Sequence, residues 1–230
     1  MSKNLFITGT GTDVGKTFVS ALIVKKLASK AKSGYYKAAM SGNIRDKNGN
    51  LSPGDAKFVK DVSGISQSLK SMCPYVYENA YSPHLASRVE GNPVSMEVVE
   101  RGFLALQDEF DYLTVEGSGG ILCPIDYDKS CKRPHIFLED VIQNLHLSSI
   151  IVADAGLGTI NSLVLTANYM AAKNLGIKGI IFNHFHKGNI MQEDNIYMCE
   201  KMTGLKTLAL VSEGERDLNM NFETLSGLYE

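Results

Sequence analysis

The segment Phe6–Phe18, FITGTGTDVGKTF, constrains the fold more than any other part of the chain. An apolar run over 4–8 leads into a glycine-punctuated turn that closes on Gly15, Lys16 and Thr17. A helix-period segment follows, with Phe18, Val19, Leu22, Ile23 and Leu27 on one apolar face. Strand, glycine loop and helix in direct succession are the setting in which a GKT triplet cradles phosphate. Glycines let backbone N–H groups turn inward around an anion, and the helix adds its positive N-terminal end. The spacing is unusual. The common pattern G-x-x-x-x-G-K-[ST] places a glycine where this chain has Thr10; here the loop starts at Gly9, with five residues before Gly15. On this reading Gly11, Thr12, Asp13, Val14 and Gly15 surround the phosphates of a nucleotide, Lys16 reaches the β- and γ-phosphates, and the Thr17 hydroxyl is a magnesium ligand. A glycine-rich turn with an incidental GKT is the structural alternative, and the strand–loop–helix context argues against it.

The alternation continues along the chain. Apolar runs at 35–39 (YYKAA), 112–116 (YLTVE), 149–155 (SIIVADA) and 178–183 (KGIIFN) read as buried strands, with 206–211 (KTLALV) as a sixth. Helix-period segments fall at about 15–31, 55–63, 95–109, 160–175 and 192–203, with Ser95 the expected N-cap of the third. Such strands between helices predict an α/β fold: a doubly wound, mostly parallel sheet with helices on both faces. No repeat or linker interrupts the pattern, so 1–230 reads as a single domain. Ligands of such sheets lie outside the carboxyl ends of the strands, which directs attention to the polar groups there.

Lys37 sits in or just after an apolar strand, where a lysine is rarely buried without an anionic partner. Its strand follows the first helix, so its end is expected beside the phosphate loop. There Lys37 reads as a second phosphate-directed lysine, or alternatively as a snorkelling edge-strand residue. Asp55 opens a predicted helix, as an N-cap does, and Glu116 ends the third strand facing the same crevice. With Thr17, the two carboxylates form a hard oxygen set suited to magnesium. GLGTIN (156–161) is either a tight strand-to-helix connection or a turn whose N–H groups hold an anion. The polar loops 45–55 and 123–134 follow strand ends and are candidates for enclosing a substrate.

Composition excludes several classes. A net charge of −2 gives no general attraction to nucleic acid or anionic lipid, and no apolar run approaches the ~18 residues of a membrane span. The N-terminal apolar run is too short for a secretory leader, so a cytoplasmic location is expected. Cys73, Cys123, Cys131 and Cys199 have neither disulfide-framework nor zinc spacing and are expected as free thiols.

Taken in order, GTGTDVGKT, KAAMSG, GD at 54–55, SPHLAS at 82–87, VEGSGG at 115–120, GLGTIN and FN at 182–183 resemble the dethiobiotin synthetase family, from Met1 to about Asn183. The family shares the longer phosphate loop. The resemblance implies a P-loop NTPase-like fold and an ATP- and magnesium-dependent step of biotin synthesis. In that step 7,8-diaminononanoate takes up CO2 (supplied as bicarbonate) as a carbamate, ATP phosphorylates it, and the second amine closes a ureido ring, releasing ADP and phosphate. It implies that Thr12, Lys16, Lys37 and Ser41 surround the carbamate and phosphates. Thr17, Asp55 and Glu116 would hold magnesium and Asn183 would meet the base. Gly158, Thr159, Ile160 and Asn161 would hold the substrate carboxylate across a homodimer interface. The chain departs from the family pattern at Gly11, usually aspartate, at Asp13, often glutamate, and at Ala38, usually proline. After Val211, SEGERDLN lacks the proline-containing stretch that completes the base pocket. Rival readings are an amide-forming ligase of the cobyrinic-acid type, a partitioning-type ATPase and a small-molecule kinase. The first needs an ammonia source that this chain has no room to supply. The second carries an extra lysine early in the phosphate loop, where this chain has GTGTDV.

Overall fold

The computed structural model describes residues 1–230. Six parallel strands form the central sheet: β1 (Lys3–Gly9), β2 (Ser33–Lys37), β3 (Tyr112–Glu116), β4 (Ser149–Asp154), β5 (Ile177–Asn183) and β6 (Thr207–Leu210). Their spatial order is β6-β5-β4-β1-β3-β2. Every apolar run read as a strand belongs to this sheet. The run at 35–39 divides: Ser33 to Lys37 pair with Tyr112 to Glu116, whereas Ala39 and Met40 leave to pair with Tyr75 and Val76.

Side chains alternate between two cores, as the pleat requires. Leu5, Ile7, Ile150, Val152 and Ile181 pack under α1 (Lys16–Ala28) through Val19, Leu22, Ile23 and Leu27. Phe6, Ile151, Ala153 and Phe182 face the opposite side. There they meet apolar residues of α3 (Pro83–Val89), α4 (Met96–Leu106), α5 (Leu138–Asn144), α6 (Thr159–Ala172) and α7 (Ile190–Thr203). A third cluster joins Ala21 and Val24 of α1 to Ala56 and Val59 of α2 (Gly54–Ser63) and to Tyr35 of β2. Helices therefore cover both faces. None is long and apolar enough to cross a membrane.

Ser95 stands at the N-cap position of α4, but its side chain makes no capping bond; its backbone N–H donates instead to Tyr75 Oη at 3.0 Å. The short helices α3 and α5 escape a periodicity search because seven residues are fewer than two full turns and a half of pattern.

The segment after β6 folds back under α1 and ends in α8 (Phe222–Ser226). Tyr229 is buried edge-on against Tyr112, and its hydroxyl meets Thr114 Oγ1 at 2.6 Å. Glu230 exchanges backbone hydrogen bonds with Asn4 and pairs with Lys178 and Ser148. Tyr229→Ala opens a cavity beneath β1 and β3 and strands the Thr114 hydroxyl. The expected cost is about 3–5 kcal/mol, read as a lower urea midpoint at unchanged m-value.

Candidate active site

The phosphate loop connects β1 to α1 with the geometry its glycines permit. A Cβ at Gly9 would lie 2.8 Å from Val14 Cγ2, and Gly15, at φ +87°, caps α1 in the left-handed region. A Cβ at Gly15 would lie 2.0 Å from Asn183 Nδ2, so both glycines of the long loop are sterically required. Gly11 is not: nothing lies within 4 Å of a Cβ placed there. Its carbonyl accepts a hydrogen bond from Lys16 Nζ at 2.7 Å. Burial, with the Lys37 charge behind it, lowers the Lys16 pKa to about 8.

Lys37 closes the other side of the site. It is the last residue of β2, in register with Glu116 at the end of β3. Its ammonium donates to Glu116 Oε1 and to Asp55 Oδ2, each at 2.6 Å, and the side chain is almost wholly shielded from solvent. Burial alone would depress the Lys37 pKa; the carboxylates of Glu116 and Asp55 outweigh it and raise the value. Asp55 is depressed against the desolvating effect of its burial, principally by Lys37. The snorkelling alternative for Lys37 is therefore excluded by its buried ion pairs. Thr17 Oγ1 donates to the same Glu116 Oε1 at 2.9 Å.

The route by which these groups meet differs from expectation. The end of β2 does not adjoin β1, because β3 lies between them, and Lys37 reaches the loop across Glu116. Asp55 is not an N-cap; Pro53 holds that position, and Asp55, in the first turn of α2, turns to Lys37.

A cavity of about 800 Å³ lies over the carboxyl ends of these strands. Of the residues singled out in the sequence, it is lined by Thr12, Asp13, Gly15, Lys16, Thr17, Lys37, Ser41, Asp55 and Glu116. Its volume suits small-molecule ligands rather than a macromolecular groove. Val14 instead packs into the core beneath α1. Asn183 reaches the back of the loop, donating from Nδ2 to Val14 O at 3.2 Å and leaving its buried Oδ1 without a partner. Gly158, Thr159, Ile160 and Asn161 do not line the cavity. They form the start of α6, with Gly158 at φ +91°, a buried and unpartnered Thr159 hydroxyl, and Leu157 beside them 90 % exposed.

The cavity is also lined by Ser82 and Pro83 of the SPHLAS segment, by Tyr81 just before it, and by Ser118 and Cys123. Tyr35, behind Glu116, looks in sequence like any core aromatic. All four cysteines are free, and no cluster of three or more His, Cys, Asp and Glu side chains forms a metal site.

A family model described as an AAA domain matches residues 3–218. The chain is similar in fold to a ParA family ATPase from Chlorobium tepidum, with a TM-score of 0.56 at 14% identity over 94% of this chain and 86% of that one. A MinC:MinD cell division complex from Aquifex aeolicus matches equally, at TM-score 0.56 and 14% identity over 94% and 83%. At such identity these structures establish the P-loop α/β architecture and nothing finer. Sequence relatives are far nearer. The ATP-dependent dethiobiotin synthetase BioD of Brachyspira hyodysenteriae is 48% identical over 98% of this chain and 99% of its own. That of Clostridium perfringens is 43% identical over 99% and 100%. Likeness at this level along nearly the whole length makes the chain a member of the ATP-dependent dethiobiotin synthetase family.

Proposed function

We propose that this chain, acting as one P-loop domain, carboxylates 7,8-diaminononanoate and closes its ureido ring at the expense of ATP. The observation that carries the reading is Lys37, held between Asp55 and Glu116 at the rim of a cavity floored by the phosphate loop. A partitioning-type switch carries its extra lysine within the phosphate loop, whereas a ligase that handles two anions at once, a carbamate and a triphosphate, calls for a second lysine outside that loop, where Lys37 stands.

One substrate amine attacks CO2, and loss of an N–H proton leaves a carbamate. A carbamate oxygen then attacks the γ-phosphorus, the bond to the β-phosphate oxygen breaks, and ADP departs. The second amine attacks the carbonyl carbon of the resulting mixed anhydride, loses a proton and expels inorganic phosphate. Each step concentrates negative charge between Lys16 and Lys37, where two fixed ammonium groups stabilise it. Thr12 and Ser41 offer hydroxyl donors on the same cavity wall. Because amine and anhydride belong to one bound molecule, closure needs orientation more than acid–base assistance.

The donor set of Thr17, Asp55 and Glu116 is oxygen only and carries two negative charges, which fits a hard divalent cation such as magnesium. When bound there, the ion screens the β- and γ-phosphate oxygens. Asn183, whose buried Oδ1 has no partner behind the phosphate loop, is the residue we assign to the amino edge of a purine. Exposed Leu157 just before α6, Leu165 on α6 and Ile190 at the start of α7 supply an apolar surface for a homodimer. Such a dimer would carry the 158–161 turn to the partner's substrate carboxylate.

Incubation with magnesium, ATP, 7,8-diaminononanoate and 13C-bicarbonate tests the reading. The expected result is dethiobiotin heavier by one mass unit, the label lying in the ureido carbonyl. ADP formation with an unlabelled or merely phosphorylated substrate would instead indicate a small-molecule kinase. Glu116→Gln removes one of the two proposed carboxylate ligands and is expected to raise the half-saturating magnesium concentration about tenfold or more. An unchanged magnesium titration would count against Glu116 as a ligand.

A further inference from the structure

Glu116 divides its two oxygens between different tasks. Oε1 faces the cavity and accepts from Lys37 and Thr17; Oε2 turns away and accepts from Tyr35 Oη at 3.0 Å, inside the protein. Tyr35 is fully buried, on β2, with its side chain on the same sheet face as Lys37 two residues on. Across the ladder Tyr35 is in register with Thr114, so its ring reaches diagonally to Glu116, a span that aromatic side chains cover.

The tyrosine is itself braced. β2 is the edge strand of the sheet, and its outward backbone groups have no neighbouring strand. At Tyr35 that role passes to Gln67, whose Oε1 accepts from Tyr35 N–H at 2.8 Å and whose Nε2 donates to Tyr35 C=O at 3.0 Å. Gln67 is buried, and its carbonyl is held by Lys60 Nζ at 2.6 Å. A side-chain amide thus continues the ladder where the sheet ends and fixes the residue whose hydroxyl fixes Glu116.

We propose that Tyr35 is a positioning residue for metal binding. It ties down Glu116 Oε2, so that a cation entering the site meets Oε1 alone at a set orientation. The inference rests on the reading of Glu116 as a magnesium ligand. Lys37 and Thr17 hold only Oε1, which leaves the carboxylate able to bring Oε2 round to an arriving ion, whereas a donor on Oε2 removes that freedom and selects a single geometry beforehand.

The test is Mn2+ affinity, read by electron paramagnetic resonance of the free ion in the presence of β,γ-imido-ATP, for wild type, Tyr35→Phe and Glu116→Gln. Tyr35→Phe keeps the ring and loses only the donor. It is expected to weaken Mn2+ about tenfold while leaving the metal-free affinity for the nucleotide analogue unmoved. A role in packing alone would lower the melting temperature without shifting the Mn2+ dissociation constant. Unchanged Mn2+ affinity in Tyr35→Phe, with a weakened Glu116→Gln, overturns the positioning role and leaves the Glu116 reading standing. Unchanged affinity in both variants overturns the proposal together with the ligand assignment beneath it. Should Tyr35→Phe not fold, Gln67→Ala, which releases the same strand residue from its outer side, carries the test with the same two readings.

Discussion

Lys37→Ala is expected to lower kcat for dethiobiotin formation by about 10²–10³-fold, the loss that follows removal of one preorganised donor from a developing anion. The substitution also leaves Glu116 and Asp55 facing each other without the cation between them. Breaking a buried ion pair by deleting one partner costs about 3–5 kcal/mol, so the variant should melt at a lower temperature. The two effects separate on adding magnesium. A divalent cation restores charge balance to the carboxylates and should raise the melting temperature of Lys37→Ala more than that of the wild type, by preferential binding to the folded state. Turnover should not return, because the ion cannot replace the ammonium on the substrate side. Near-normal ring closure by folded Lys37→Ala would remove Lys37 from the chemistry.

Gly15→Ala should be the most damaging change in the phosphate loop. At φ +87° an alanine is strained by about 1–2 kcal/mol, and its Cβ would displace the Asn183 amide from Val14 O. The strain lies in the loop that cradles the phosphates, so its effect is expected in nucleotide binding. The backbone effect alone weakens ATP about tenfold, and the displaced Asn183 should bring the total to about a hundredfold. Adding Asn183→Ala to Gly15→Ala removes the collision and not the strain, so the double variant should still bind ATP about tenfold more weakly than Asn183→Ala alone. Competition against a fluorescent nucleotide measures all four proteins. Gly11→Asp, at a position with open space around it and no positive φ, should bind ATP as the wild type does.

The outline of this fold was legible because the strands are buried on both sides and show as unbroken apolar runs. Their order in space was not. Nothing local in YYKAA or YLTVE tells which lies beside β1, since the insertion of β3 between β1 and β2 is set by how the crossover helices pack. Lys37 was legible as an anomaly, a charge in an apolar strand, and the structure supplies the anions that such a charge needs. Of the two tasks read for Asp55, capping is not the one it performs, because an aspartate near a helix start usually answers to the backbone and here answers to Lys37. Tyr35 gave no signal at all. A tyrosine in a strand reads as core, and what distinguishes it is the position of one hydroxyl relative to a carboxylate far away in sequence. The 158–161 turn is the converse case. Its pattern was visible, yet it lies outside the cavity, at the start of α6.

Phosphate release from ATP, followed together with dethiobiotin formation while diaminononanoate and bicarbonate are each withheld in turn, tests the coupling most directly. The account predicts release only when both are present, one phosphate for each ring closed. Release that continues at the same rate without either would keep the phosphate loop as a nucleotide site and contradict the ligase chemistry drawn from Lys37.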